Sequence, residues 1–92
     1  MVDEAVEAHD AELLAAWRGG DREAGDALIG RHFSSVYRFF RRKLTDPEAA
    51  KDLAQRTFLT CVEKEHRLRD DLRFKAFLLG IARNLLLRHL RA

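Results

Sequence analysis

Residues 45–59 read TDPEAAKDLAQRTFL, a stretch that spells out the start of a helix. Asp46 stands where a side-chain oxygen can accept from the first free backbone N–H groups. Pro47 takes the first helical position, where its missing N–H does no harm, and Glu48 puts negative charge at the positive helix end. Behind that start, Ala50, Leu53, Thr57, Cys61 and Val62 predict a buried stripe on a helix reaching about Glu65. A strand would need apolar residues at every second position, and the stretch has no such alternation.

The same period appears on either side. From about Arg22 to Leu44, Ile29, Phe33, Val36 and Phe40 share a face, with Leu28, Tyr37 and Phe39 flanking it, so this helix should pack on more than one neighbour. Gly25 and Gly30 lie inside it and each costs about 0.5–1 kcal/mol against alanine. Close approach of another helix at both glycines is the expected reason. Before it, about Asp3 to Arg18 aligns Val6, Leu13, Leu14 and Trp17, after which Gly19-Gly20 can end the helix and Asp21 can cap the next. After residue 65, His66 to Arg73 lacks a clear period. A fourth helix is then predicted from about Phe74 to the end, with Phe74, Phe77, Leu78, Ile81, Leu85 and Leu86 apolar. The expectation is all-α, a compact four-helix bundle.

Ninety-two residues make one domain. With 47% hydrophobic and 35% charged residues and a single proline, the composition belongs to a folded helical chain and not to a disordered one. The one cysteine, Cys61, cannot close an internal disulfide, and no charged-then-apolar leader opens the sequence, so the cytoplasm is the expected compartment. No apolar run approaches the roughly 20 residues of a membrane span. Residues 1–12 carry five acids and no Lys or Arg, which leaves 17 basic against 10 acidic residues in the remainder, a net +7 there. That asymmetry points to a surface meeting a polyanion, or to an arm and body that balance for solubility.

Two faces outside the predicted core carry chemistry. On the third helix, Asp52, Gln55, Arg56, Leu59 and Glu63 share a mixed stripe, which suits docking on another protein but also suits a solvated face with one exposed leucine. On the fourth, Asn84, Arg88 and Arg91 recur at i, i+4, i+7, with Lys75 and Arg83 nearby and Arg67, Arg69 and Arg73 in the preceding loop. Guanidinium groups pair with phosphates, and an asparagine amide both donates to and accepts from a base edge, so this is either a nucleic-acid surface or a solvated basic face. His9, His32, His66 and His89 are scattered and Cys61 has no second ligand at zinc-like spacing, so no metal site and no cofactor are expected. Asp70-Asp71 reads as a helix cap, and neither a nucleophile motif nor a glycine-rich phosphate loop occurs. An enzyme is not expected.

Residues 46–59, DPEAAKDLAQRTFL, resemble the "DPEDAEDLVQETFL" helix of region two in bacterial extracytoplasmic-function sigma factors, within the sigma-70 family. Residues 74–84, FKAFLLGIARN, resemble that family's "F-x-x-W-L-x-x-I-A-x-N" run, and Gly20-Asp21 with Ala24, Leu28 and His32 is similar to its opening helices. The blocks span about residues 11–91 in the family's order and spacing. The resemblance implies a region two fold over 11–92, preceded by an acidic extension of helix one at 1–10. It also implies docking of Asp52, Gln55, Arg56 and Leu59 on the clamp helices of the polymerase beta-prime subunit.

For the other face it implies recognition and melting of the promoter minus-ten element. An unstacked non-template base would enter a pocket of Lys64, Leu68, Ile81 and Asn84, with Arg69, Arg73, Lys75, Arg83, Arg88 and Arg91 adding contacts to the strand. The chain departs from the pattern at several positions. Arg56 replaces an acid after the glutamine, Phe77 replaces tryptophan, Leu68 replaces an aromatic, and Arg88 stands where an acid is common. The sequence ends at Ala92 without the family's helix-turn-helix domain, as expected of an excised domain or a naturally short protein. With Arg56 and Leu68, this also motivates an alternative, a regulator that binds an anti-sigma factor or the polymerase without productive initiation.

Overall fold

The computed structural model describes residues 4–65 and 73–91, and among these it contains four helices and no strand. They are α1 (Glu4–Arg18), α2 (Arg22–Lys43), α3 (Pro47–Lys64) and α4 (Phe74–Arg91). Each packs on the next in chain order, α2 also meets α4, and α1 touches α4. The boundaries follow the stop and start chemistry of the sequence. At the end of α1, Gly20 adopts φ +107°, Gly20 N–H donates to the Trp17 carbonyl (2.9 Å) and Asp21 N–H donates to that of Ala16 (3.0 Å). This pair of bonds satisfies carbonyls that the helix leaves open, and it needs a residue tolerant of the left-handed region. Asp21 then turns from closing α1 to opening α2, its Oδ1 accepting from Ala24 N–H at 3.2 Å.

Asp46 caps α3 in the same way, its Oδ1 accepting from Glu48 N–H at 3.0 Å with Pro47 in the first turn. The connection between α2 and α3 is three residues long, which forces the two helices to lie side by side. Leu44 N–H still reaches the Phe40 carbonyl (2.8 Å), so α2 closes without a glycine.

The core is built from Leu14, Leu28, Val36, Phe40, Leu53, Phe58, Cys61, Phe74, Leu78 and Leu86, with Ala50, Ala54 and Ala82 fully buried between the larger side chains. Alanines at those positions let α3 and α4 approach. Thr57 is also fully buried, and its hydroxyl donates to the Leu53 carbonyl at 2.8 Å, which satisfies the polar group inside its own helix. Leu13, Trp17, Ile81 and Leu85 pack partly buried against this centre, as their spacing predicts. The side chain of Val6 lies outside the described residues.

Three expectations are corrected. On α3 the buried positions are 50, 53, 54, 57, 58 and 61, and Val62 turns about 100° beyond that stripe, leaving it 49% exposed. On α2 the buried line runs Leu28, His32, Val36, Phe40, so His32 takes the place expected for Phe33. Phe33 is 38% exposed and stacks on Phe58 at a centroid distance of 5.5 Å. Of the two glycines inside α2, only Gly25 meets a neighbour: a Cβ there would lie 2.7 Å from Trp17 Nε1. At Gly30 a Cβ would meet nothing within 4 Å, so close packing is not its reason.

Candidate functional site

The α3 face outside the core is continuous and mixed. Asp52, Gln55, Arg56, Leu59, Val62 and Glu63 are all exposed, with Leu59 64% exposed. Val62, turned away from the core, stands one turn beyond Leu59 and doubles the apolar content of this surface. Arg56 does not project as an isolated cation, because its Nε lies 3.0 Å from Asp52 Oδ2 one turn back on the same helix. Such an exposed i, i+4 pair is worth about 0.3–0.5 kcal/mol, so a partner could open it at little cost.

The expected DNA-contacting residues divide into two groups. Asn84, Arg88 and Arg91 are exposed and share one stripe of α4. Arg83, one residue before Asn84, is turned about 100° away and faces α2 together with Lys75. There two open clefts lie side by side. The first, about 230 Å³, is bounded by Ser35, Arg38, Phe39 and Arg42 of α2 and by Lys75 and Leu79 of α4. The second, about 340 Å³, is bounded by Phe39, Ala76, Leu79, Gly80 and Arg83. The α2 side of these clefts was missed in the sequence, although Arg38 and Arg42 recur at i, i+4 beside Phe39, which is a legible basic and aromatic pattern.

Ile81 is half-buried against the core one turn before Asn84, and Lys64 is exposed at the last position of α3. Arg73 is exposed immediately before α4, and its carbonyl accepts from Phe77 N–H at 3.0 Å. Leu68 and Arg69, together with Arg67, Asp70 and Asp71, lie outside the described residues. The proposed base pocket is therefore described only on its Lys64, Ile81 and Asn84 sides.

A buried polar cluster positions the helices that carry these faces. Asp10 of α1 and His32 of α2 each have side chains 5% exposed, with Asp10 Oδ2 2.7 Å from His32 Nε2. Arg31 Nε donates to the other carboxylate oxygen at 2.9 Å. Against an ionised carboxylate, His32 Nε2–H is the donor. The same ring lies 5.6 Å from that of Phe74, the first residue of α4, so one imidazole joins three helices. At the other end of α1, Arg18 Nη2 donates to the Glu65 carbonyl (3.1 Å), and its Nε lies 3.6 Å from Glu65 Oε2. Asp10 had counted only toward the acidic start of the chain, and no local sequence signal pairs it with a histidine 22 positions away.

Burial, with the Glu65 carboxylate adding to it, pushes the Cys61 thiol up to about 12, so the thiol stays protonated and inert near neutral pH. Among the described residues no three potential metal ligands cluster, and no helix is long and apolar enough to cross a membrane.

Comparison with known proteins agrees with this geometry. The Sigma-70 region 2 family matches residues 28–92, which takes in most of α2 and all of α3 and α4. RNA polymerase sigma factor CarQ from Myxococcus xanthus is 35% identical over 71 residues, covering 77% of this chain and 41% of that protein. The chain thus spans well under half the length of the relative it matches. No solved structure matches. Four helices in the order the motifs require, with the family match running through three of them, lead to one conclusion: the chain belongs to the sigma-70 region 2 family.

Proposed function

We propose that this domain is the polymerase-binding and promoter-melting part of an extracytoplasmic-function sigma factor, working in the cytoplasm by binding and not by catalysis. The observation that carries the reading is the α3 face, where Leu59 and Val62 stand exposed among Asp52, Gln55 and Arg56. A large apolar pair ringed by hydrogen-bonding side chains suits the centre of a protein interface. The occupant proposed is the clamp-helix pair of the polymerase beta-prime subunit. The Asp52–Arg56 pair bears on how strongly Arg56 opposes a basic partner. Its guanidinium is already matched by Asp52, so the departure from the family pattern weakens docking modestly and does not abolish it.

On α4, Asn84 would read a base of the non-template minus-ten strand, and Arg88 and Arg91 on the same stripe would hold phosphates. Lys64, Leu68 and Ile81 would complete the pocket for an extruded base, with Arg69 and Arg73 beside it. Extrusion costs a few kcal/mol, and contacts in a pocket return about 1–3 kcal/mol per base, so phosphate contacts must supply the remainder.

The test is retention of core polymerase by the immobilised chain. Wild type should retain it and Leu59→Asp should not, with both folded by circular dichroism. A folded wild-type chain that retains no polymerase overturns the reading. The second reading, a regulator held by an anti-sigma factor or by polymerase, rests on Arg56 and on Leu68 in place of an aromatic. It predicts polymerase retention without binding to single-stranded minus-ten oligonucleotides.

A further inference from the structure

We propose that α1 braces the connection between α3 and α4 from both ends, and that Arg18 and Asp10 thereby act as positioning residues for capture of a DNA strand that neither of them touches. The inference rests on the proposed function for the strand, but it assigns a task to α1, which lies outside the residues 28–92 matched by the family.

Arg18 holds the α3 end. Its Nη2 donates to the Glu65 carbonyl at 3.1 Å, and its Nε lies 3.6 Å from Glu65 Oε2. That carboxylate oxygen is shut off from solvent and has no hydrogen-bond partner among the described residues, so the Arg18 charge compensates it. Asp10 holds the α4 end at one remove. His32 Nε2–H donates to Asp10 Oδ2 at 2.7 Å, and the His32 ring lies 5.6 Å from that of Phe74, the buried first residue of α4. The stretch of chain between these two ends carries the Leu68, Arg69 and Arg73 that the proposed function sets beside an extruded base.

Both grips belong to one rigid body in a fixed register. Asp10, Leu14, Trp17 and Arg18 follow i, i+4, i+7, i+8 spacing and so share one face of α1. Trp17 lies so close to Gly25 that a Cβ there would stand 2.7 Å from its Nε1, while Asp10 meets His32. Positions 10 and 17 of α1 are thus pinned to positions 32 and 25 of α2, antiparallel, and a slide of one turn, about 5.4 Å, would break both grips together. The grips stand about 12 Å apart along the axis of α1, whereas the path from Glu65 to Phe74 would reach about 30 Å if extended. That path leaves its own ends unset. Packing of α3 on α4 brings the two helices together, and α1 fixes the residues at which the chain leaves one and enters the other.

The experiment compares wild type, Arg18→Ala and Arg18→Lys, each checked as folded by circular dichroism. Hydrogen exchange followed by NMR should quicken about five-fold in Arg18→Ala over residues 62–64, the last turn of α3, which is the weight of one hydrogen bond. It should stay as in wild type at Ala50 N–H, which bonds the Asp46 carbonyl at the far end of the same helix. Anisotropy with a fluorescein-labelled single-stranded DNA 20-mer of random sequence, at several KCl concentrations, reads the strand. Arg18→Ala should weaken binding about five-fold at every salt concentration, with an unchanged slope of log affinity against log salt, because no phosphate contact is lost. Arg18→Lys keeps a donor and the charge, and should bind within about two-fold of wild type.

A slope reduced by about 0.7 in Arg18→Ala would mean that Arg18 itself meets a phosphate, and it overturns the positioning role. So does unchanged strand affinity, and so does exchange quickened equally at Ala50, which would make α1 a stabiliser of the whole bundle. Failure of the proposed function is read separately, from a wild-type chain that retains no polymerase. A wild-type chain that retains polymerase but binds no strand refutes the positioning role and leaves polymerase docking standing.

Discussion

Replacing Asp10 by alanine tests the claim that a buried polar cluster, and not only apolar packing, sets the helix arrangement. The carboxylate makes two bonds, to His32 Nε2 at 2.7 Å and to Arg31 Nε at 2.9 Å. The two partners respond differently to its removal. The Arg31 side chain is 31% exposed and can turn to water, so its share of the cost is small. His32 is 5% exposed and would be left with a buried donor that no longer has an acceptor, a penalty of about 1–3 kcal/mol.

Adding the charge-assisted bond and the packing that the substitution removes, Asp10→Ala should cost about 2–4 kcal/mol. A chain of this length is stabilised by about 5–14 kcal/mol in total, so the variant should fold but with little margin. In urea unfolding followed by circular dichroism, the midpoint should fall by about 1–2 M. A double-mutant cycle with His32→Leu separates the pair from the remaining packing, and its coupling energy should exceed about 1 kcal/mol. A destabilisation under about 0.5 kcal/mol, or a cycle that closes additively, would refute the claim that this pair ties α1 to α2.

The remaining expectations concern glycine, the α3 face and the thiol. Gly25→Ala should destabilise, because the new methyl meets the Trp17 indole at 2.7 Å, whereas Gly30→Ala and Gly80→Ala should each stabilise by about 0.5–1 kcal/mol in the same urea assay; equal effects at all three would contradict the packing. Leu59→Ala and Val62→Ala should change stability by less than about 0.5 kcal/mol yet each weaken polymerase retention. A variant that unfolds instead would place its residue in the core. For Cys61, the folded thiol titrates above its ordinary value of 9.0. Its contribution is therefore fully present below pH 9 and declines as pH rises toward 12, where the unfolded chain gains a thiolate that the folded one resists. The stability difference between wild type and Cys61→Ala should shrink over that interval, and a difference independent of pH would count against the burial argument.

The elements themselves were legible in the sequence because their determinants are local. Asp21, Asp46, Pro47 and the Gly19-Gly20 pair act on backbone groups within a few residues, so the helix limits follow from them to within a residue or two. The exposed faces were partly legible for the same reason: Asp52, Gln55 and Leu59 emerge on one side wherever the core stripe of α3 is placed. The errors came where two adjacent positions compete for one interior. Val62 follows buried Cys61, and Phe33 follows buried His32, each one residue and about 100° further round its helix, and which position is buried depends on where the neighbouring helix lies.

Local chemistry along the chain accounts for four helices, their order and the residue types available on each exposed stripe. Tertiary structure alone decided which polar groups became interior and which basic residues met. Asp10 reads as one more acid in an acidic segment until α2 brings His32 to 2.7 Å from it. Arg38 and Arg42 read as solvated charge until α4 sets Lys75 and Arg83 across a cleft from them. The reason is range: caps and periodicity act through bonds a few residues long, whereas a buried hydrogen bond between helices or a groove depends on the relative placement of whole helices, fixed by packing summed over the core.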